Sequence, residues 1–229
     1  MYDIVFISYG EPNAEKNWRD LKQRFPNAKR VDGVKGIPAA HKSAAKKSLT
    51  KMFWVVDADA VIVQDFDFTI HPAFREIRED TVYVWRSQNP VNGLIYGYGG
   101  VKLLPKKLTK LIDADSCDIT TSISANFMPM PELSNITEFN TDPFSAWRSG
   151  FRECAKLASK TIRRQNDQET ERRLDTWCNV GTTISFGIDA IRGAKEGRNF
   201  GEENKDNSEE LAKINDFDWL YERFSKNTV

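Results

Sequence analysis

Along the first sixty residues the apolar positions switch between a period of two and a period near 3.6. Tyr2 to Ser8 is apolar and β-branched and reads as a strand; Gly10, Pro12 and Asn13 break it, and Ala14 to Phe25 sets Trp18, Leu21 and Phe25 at helical spacing. Pro26 and Asn27 close that helix. Ala28 to Val31 reads as a short second strand, Asp32-Gly33 as a turn, and Ile37 to Thr50, rich in Ala and Lys, as a second helix. MFWVVDADAVIV follows, apolar throughout except for two aspartates, which is the pattern of a central strand buried on both faces. Strand and helix alternating in this order predict a parallel sheet with right-handed crossovers.

Further on the pattern becomes less regular. Thr81 to Trp85 and Gly100 to Leu104 read as strands flanking a Gly-, Asn- and Tyr-rich stretch, so the sheet is expected to become mixed. Pro143 to about Arg173 reads as one long charged helix through Phe144, Trp147, Phe151, Leu157 and Ala158, and Phe217 to Phe224 as a short terminal one. Between them lies a Gly-rich stretch, Gly181 to Gly201, followed by Glu202 to Glu210, which is polar and reads as mobile, with Gly193 to Asn207 a candidate lid. No repeat or low-complexity linker appears. A chain of 229 residues with 40% hydrophobic content is expected to form a single domain, residues 1–60 being its first half and 80–229 its second.

Charge and cysteine usage narrow the class. The 33 basic and 33 acidic residues cancel, so a polyanionic partner would have to meet a local patch. Cys117, Cys154 and Cys178 form no CxxC pair and read as reduced thiols. No window approaches the roughly 18 apolar residues of a membrane span, and the acidic start MYDIVF is unlike a signal peptide, so a soluble, cytoplasmic protein without a membrane partner is expected.

Ligands of an open parallel sheet bind outside the carboxyl ends of its strands. Three strand ends should converge there, carrying Tyr9-Gly10-Glu11, Asp32-Gly33 and Asp57-Ala58-Asp59. Two carboxylates leaving a buried strand are costly to desolvate unless cations or donors compensate, and Mg²⁺ or Mn²⁺ accepts one or two carboxylates together with water and phosphate oxygens. The plainer reading is that both aspartates only close the strand.

WVVDADA, after a hydrophobic strand and two strand-helix units, resembles the D-x-D motif of the GT-A glycosyltransferase fold. That resemblance implies an α/β, Rossmann-like mixed and mostly parallel sheet flanked by helices, a UDP-sugar donor and a divalent metal, Mn²⁺ or Mg²⁺. It places Tyr9, Glu11 and Asp32 on the base and ribose, Asp57 on the ribose or a metal-bound water, and Asp57 and Asp59 at the metal, Asp59 directly. Asp189, Asp206 or water would fill a third metal position. The start of the helix at Ile37, with Lys35, His41 and Lys42, faces the same crevice and the diphosphate, although Lys42, Lys46 and Lys47 also read as a solvated helix face. His71, before Pro72, reads as a turn residue.

Gly99-Gly100, about 40 residues beyond the aspartates, match a glycine pair that lets donor and acceptor approach the backbone in this fold, with Trp85, Tyr96 and Tyr98 available to stack or simply to pack. Asp142, before Pro143, reads as an N-cap or, by the resemblance, as the general base of an inverting transferase; Glu138 and Glu153 are lesser candidates, and Trp147 and Arg148 would flank the acceptor.

The segments ISYGEPNAEKNW, RVDGVKGI, MFWVVDADA and VWRSQNPVNGLIYGYGGVKL are similar to small glycosyltransferases of tailed bacteriophages, including those associated with adding sugars to hydroxymethylated pyrimidines in phage DNA. This similarity implies a 5-hydroxymethylcytosine-type acceptor in duplex DNA, within host cytoplasm, and UDP-glucose or a UDP-pentose as donor. Lys102, Lys106, Lys107 and Lys110, or Arg163, Arg164, Arg172 and Arg173, would hold the DNA backbone unless they form an ordinary solvated surface. The competing readings are a transferase acting on glycan, lipid or protein, a nucleotidyltransferase, whose Gly-rich basic loop SYGEPNAEK lacks, and a non-catalytic nucleotide- or DNA-binding protein.

Overall fold

The computed structural model describes residues 2–70, 76–97, 99–112, 119–161 and 166–226. The chain runs β1 (Asp3–Ser8), α1 (Ala14–Arg24), β2 (Lys29–Asp32), α2 (Ile37–Lys47), β3 (Met52–Asp57), β4 (Ala60–Ile62), β5 (Thr81–Gln88), β6 (Ile95–Tyr96), β7 (Val101–Pro105), α3 (Lys106–Thr109), α4 (Ile119–Ile123) and β8 (Asn126–Thr137). It continues with α5 (Pro143–Ala158), α6 (Asp167–Asn179), α7 (Gly187–Glu203), α8 (Ser208–Ala212) and α9 (Phe217–Lys226). His71, Tyr98, Cys117, Arg163 and Arg164 lie outside the described residues.

The described elements fall into two compact units. The first runs to Asn89, resumes at Ile95 and ends at Glu138; the second takes Pro90–Leu94 and everything from Phe139 onward. The boundary falls so late because β8 returns to the sheet.

The first unit is α/β, built on a mixed sheet whose described strands lie in the order β2-β1-β3-β7-β5-β8-β4, with β6 beside β5. Pairing is parallel in β2-β1-β3 and between β5 and β8, and antiparallel at β7, β4 and β6. Side chains alternate between two cores. Ile4, Phe6, Met52, Trp54 and Val56 pack with Ala14 and Leu21 of α1, whereas Val5, Phe53 and Val55 pack with Ala44 and Ala45 of α2. The continuous apolar run of β3 is therefore covered on both sides, as its sequence predicts. Trp85 belongs to the first core, 4.5 Å from Trp54 between ring centroids, with its Nε1 donating to Glu132 Oε2 at 3.1 Å. Trp85 is thus a packing residue and not a sugar platform, and Tyr96 is buried as well.

Helices make up the second unit, and two expectations give way there. The long helix from Pro143 ends at Ala158, with Lys160 in the left-handed region, and a new helix starts under the N-cap Asn166, whose side chain accepts from the Glu169 amide at 3.0 Å. The Gly-rich stretch is not a lid but α7, of 17 residues. Its glycines form a row four residues apart on one face: a methyl group at Gly193, Gly197 or Gly201 would sit 2.0, 2.1 or 2.4 Å from the carbonyl oxygens of Trp147, Phe151 and Ala155 in α5. Backbone lies directly on backbone. Trp147, proposed for an acceptor pocket, is fully buried in this helical core with Phe151, Phe200 and Leu220.

Alanine in a helix is ordinarily more favourable than glycine by about 0.5–1 kcal/mol. At Gly197 the contact reverses that sign: Gly197→Ala is expected to destabilise the protein by about 2–3 kcal/mol, since helix α7 must back away from α5 to admit the methyl group. Urea unfolding checks this, and a stabilised variant would contradict the α5/α7 contact.

Candidate functional site

Register fixes what meets at the carboxyl edge of the first unit's sheet. Ser8 at the end of β1 stands opposite Asp32 at the end of β2, and Ile7 stands opposite Asp57 at the end of β3. Three parallel strands thus finish in one row, and Tyr9, Glu11, Asp32, Asp57 and Asp59 follow from that row, as the sequence predicts. The Tyr9 side chain is 42% exposed, and its amide donates to Glu11 Oε2 at 2.6 Å. Asp32 accepts from Ser8 Oγ at 2.5 Å and from Arg30 at 3.1 Å; the Ser8 bond is the main cause of a pKa below the ordinary carboxylate value.

Main-chain contacts hold the D-x-D turn. The Asp57 amide donates to the Gly100 carbonyl at 3.0 Å, Asn17 Nδ2 to the Ala58 carbonyl at 2.9 Å, and the Glu138 amide to the Asp59 carbonyl at 2.7 Å. Asn13 Nδ2 reaches the Glu138 carbonyl at 3.0 Å, tying the start of α1 to the same edge. Gly100 must be small for a reason internal to the protein, because a Cβ there would lie 2.4 Å from Asn135 Nδ2. Asn135 is itself fixed: its Oδ1 accepts from Ser87 and Ser134, and its Nδ2 donates to Thr137 Oγ1 at 2.9 Å. Gly99 has φ +93°, so the pair also turns the chain into β7.

Asp57 has a partner that the sequence reading assigned elsewhere. Lys102 Nζ stands 2.7 and 3.0 Å from the two Asp57 carboxylate oxygens. The Lys102 side chain is 5% exposed and that of Asp57 35%. Lys102 lies opposite Val55 across the β3/β7 pair, which puts it on the α2 face of the sheet together with Asp57. It cannot grip a DNA backbone from there. The signal available in the sequence is one charged residue inside the apolar run VKLLP.

His41 is also buried, at 4% exposure, and its Nδ1 contacts the Ile37 carbonyl at 2.8 Å while Nε2 has no hydrogen-bond partner among the described residues. Burial holds its pKa down to about 4, with Lys102 acting in the same direction and the Asp57 carboxylate opposing. The ring is therefore neutral at pH 7 and enclosed within the α2 packing rather than open to a diphosphate. Lys35 is exposed and Lys42 half-buried near the start of α2, a helix whose first turn carries no acidic residue and no side-chain cap.

Asp142 belongs to the second unit and caps α5. Its carboxylate accepts from the Ser145 amide at 2.8 Å, Ser145 Oγ at 2.6 Å and Thr141 Oγ1 at 3.2 Å. Burial alone would raise its pKa, but these bonds outweigh it and hold the carboxyl below the ordinary value. Glu153 is buried against Lys156 at 3.1 Å. Arg148 covers the rings of Phe144 and Phe217, 5.7 and 5.4 Å from their centroids. Lys106 donates to the Ser48 carbonyl at 2.7 Å, and Arg172 and Arg173 both pair with Glu169, at 2.7 and 2.8 Å.

Among the described residues no three His, Cys, Asp or Glu side chains converge as a metal cage, and Asp189 instead stands 3.7 Å from Arg192. Asp59, half-buried in a turn pinned by main-chain bonds, fits an ion that brings phosphate and water as its other ligands. Asp57 shares this edge, with both its oxygens facing the Lys102 ammonium.

No protein-family model and no curated protein sequence matches the chain. Solved structures with similar backbones include a mannosyltransferase, PcManGT, from Pyrobaculum calidifontis in complex with GDP-Man and Mn²⁺, at 12% identity and TM-score 0.48 over 85% of this chain and 73% of that one. A glycosyltransferase involved in glycosylation of the major capsid of PBCV-1 is similar at 10% identity and TM-score 0.38, over 66% and 98%. The bifunctional IspDF from Campylobacter jejuni gives 12% and 0.37 over 57% of this chain, which spans about half of that protein, 49%.

Two outcomes follow from the Asp57–Lys102–His41 cluster. Asp57→Asn strands a nearly inaccessible ammonium, whereas Lys102→Met strands a carboxylate that still meets solvent. The first is therefore expected to cost about 2–3 kcal/mol and the second roughly half as much, as read by chemical denaturation. For His41, the folded pKa of about 4 lies below the ordinary 6.5, so the unfolded chain takes up the proton first as pH falls. Its contribution is complete above pH 6.5 and is lost between 6.5 and 4; stability should fall by roughly 2 kcal/mol from pH 7 to pH 5 and this fall should flatten in His41→Gln.

Proposed function

We propose that the chain is a nucleotide-sugar glycosyltransferase of GT-A type, moving a sugar from a UDP-sugar to a hydroxyl acceptor. The observation that carries this reading is the aligned ending of β1, β2 and β3, which gathers Tyr9, Glu11, Asp32 and the D-x-D turn on one sheet edge. Strand carboxyl ends are where open α/β sheets take nucleotides. The exposed Tyr9 ring offers a face to a uracil, and Asp32, held ionised by Ser8, offers an acceptor to ribose hydroxyls. The capless start of α2, with Lys35 and Lys42, suits a diphosphate.

Asp59 is the carboxylate that would hold a divalent ion, and such an ion supplies charge compensation for the leaving diphosphate. Transfer forms a bond from the acceptor oxygen to the anomeric carbon and breaks the bond from that carbon to the diphosphate oxygen, which leaves as UDP. The acceptor proton passes to a carboxylate base, giving inversion. Asp142 has both oxygens committed to the cap of α5, so Glu138, whose main chain is bonded to Asp59, is the better base of the two.

The similarity to phage enzymes points to a 5-hydroxymethylcytosine-type base as acceptor, whose substituent projects into the major groove. A glycan, lipid or protein acceptor is the second reading, favoured by the burial of Lys102 and the internal pairing of Arg172 and Arg173, which remove basic groups from a DNA-facing surface.

UDP release from a panel of UDP-sugars, measured with hydroxymethylated duplex, unmodified duplex, glycan acceptors and no acceptor, tests both readings. Glu138→Gln is expected to lower turnover by about 100-fold with donor affinity little changed. Asp142→Asn should act mainly on stability, by about 1 kcal/mol. No UDP release with any UDP-sugar under any condition would reject the transferase and leave a nucleotide-binding protein.

A further inference from the structure

We infer that Cys154 and Cys178 form a site of reversible oxidation, where a hydroperoxide such as hydrogen peroxide converts the two thiols into a disulfide joining α5 to α6. Both are free thiols buried within the second unit, at 0% and 6% exposure, and the proposed sugar transfer uses neither. Three helices bring them together. On α6, Glu171, Asp175 and Cys178 follow one another at four and three residues and so share a face. Arg198 of α7 reaches the first two at 2.8 and 3.0 Å, which turns that face toward α7. Gly197 and Gly201, flanking Arg198, rest on the carbonyls of Phe151 and Ala155, and Cys154 lies between those two residues in α5. The Cys154 thiol donates to the Cys178 sulfur. That bond, with Arg198 and Lys195 beside it, holds the Cys178 thiol down to about 7 against its burial, whereas burial pushes the Cys154 thiol up. The pair therefore offers a nucleophilic thiolate and a second thiol already in contact with it.

The Cys178 thiolate attacks one peroxide oxygen and breaks the O–O bond; the departing hydroxide leaves as water with the proton that Cys178 gave up, and Cys178 carries a sulfenic acid. The Cys154 sulfur then attacks the Cys178 sulfur, the S–O bond breaks, and hydroxide leaves as a second water with the Cys154 proton. Two thiols lose two electrons in all, and one peroxide gains them. Arg198 keeps Glu171, Asp175 and Glu202 as partners when the thiolate becomes a neutral disulfide sulfur, so oxidation strands no charge in the helical core.

Hydrogen peroxide added to the whole native chain, followed by alkylation of the remaining thiols and mass spectrometry of non-reduced peptides, tests this. The wild type should lose two hydrogens and yield a linked peptide joining Cys154 to Cys178, which dithiothreitol separates again. Cys154→Ser should give no link and instead a sulfenic acid at Cys178 that dimedone traps. In Cys178→Ser, oxidation of Cys154 should be at least about tenfold slower than in the wild type. The oxidised wild type should unfold at a temperature about 5 °C higher than the reduced one, because the link closes the α5–α6 connection. Linkage through Cys117 instead, equal oxidation of Cys154 in wild type and Cys178→Ser, or a linked peptide that forms only in urea would overturn the inference. So would a lower unfolding temperature after oxidation, which would mean that the disulfide does not fit the native packing. If Cys154→Ser fails to fold by circular dichroism, Cys154→Ala and the wild-type peptide map decide.

Discussion

A lysine inside a buried strand has to find a carboxylate, and in this protein the position of that carboxylate organises the sheet edge around it. Lys102 reaches across the β3/β7 pair to Asp57 at 2.7 Å, on the same side of the sheet as α2. The contact joins the last residue of one strand to the second residue of its neighbour. The Asp57 amide adds its own bond to Gly100, and Gly100 rests on the immobilised amide of Asn135. Side-chain charge, main-chain pairing and packing therefore agree on one conformation for the turn that follows. Asp59 takes its place from these contacts, because short-range preferences alone would leave an exposed turn free to vary.

What the sequence made legible was whatever repeats locally. β1, α1, β2, α2 and β3 announce themselves by period and by Gly and Pro punctuation, and the register of three parallel strands then delivers Tyr9, Asp32 and Asp57 to one row without further information. Lys102 was not legible, because its partner lies 45 residues away and a charge in an apolar run can equally be a surface residue. β8 was hidden by Pro129 and Pro131, which argue against a strand until pairing with β5 on one side and β4 on the other overrides them. α7 was hidden by its glycines, whose helix penalty is offset by contact with α5 that no local rule contains. Asp142 shows the remaining difficulty. An N-cap and a catalytic carboxylate have the same signature in sequence, and only the count of bonds to its oxygens separates the two roles.

The balanced composition has a structural counterpart. Arg198 bridges Glu171, Asp175 and Glu202; Glu169 takes two arginines; Arg30 spans Ser8, Glu15 and Asp32. In these clusters the charges are compensated side chain by side chain.

The row of Gly193, Gly197 and Gly201 has a consequence for how this chain can change over generations. Because every fourth residue of α7 must be bare where it touches the α5 backbone, inserting or deleting one residue would rotate a side chain into each of those contacts together. A change of length within the α7 glycine row is therefore expected to cost stability at three contacts at once, whereas the connections outside it carry no such constraint from α5.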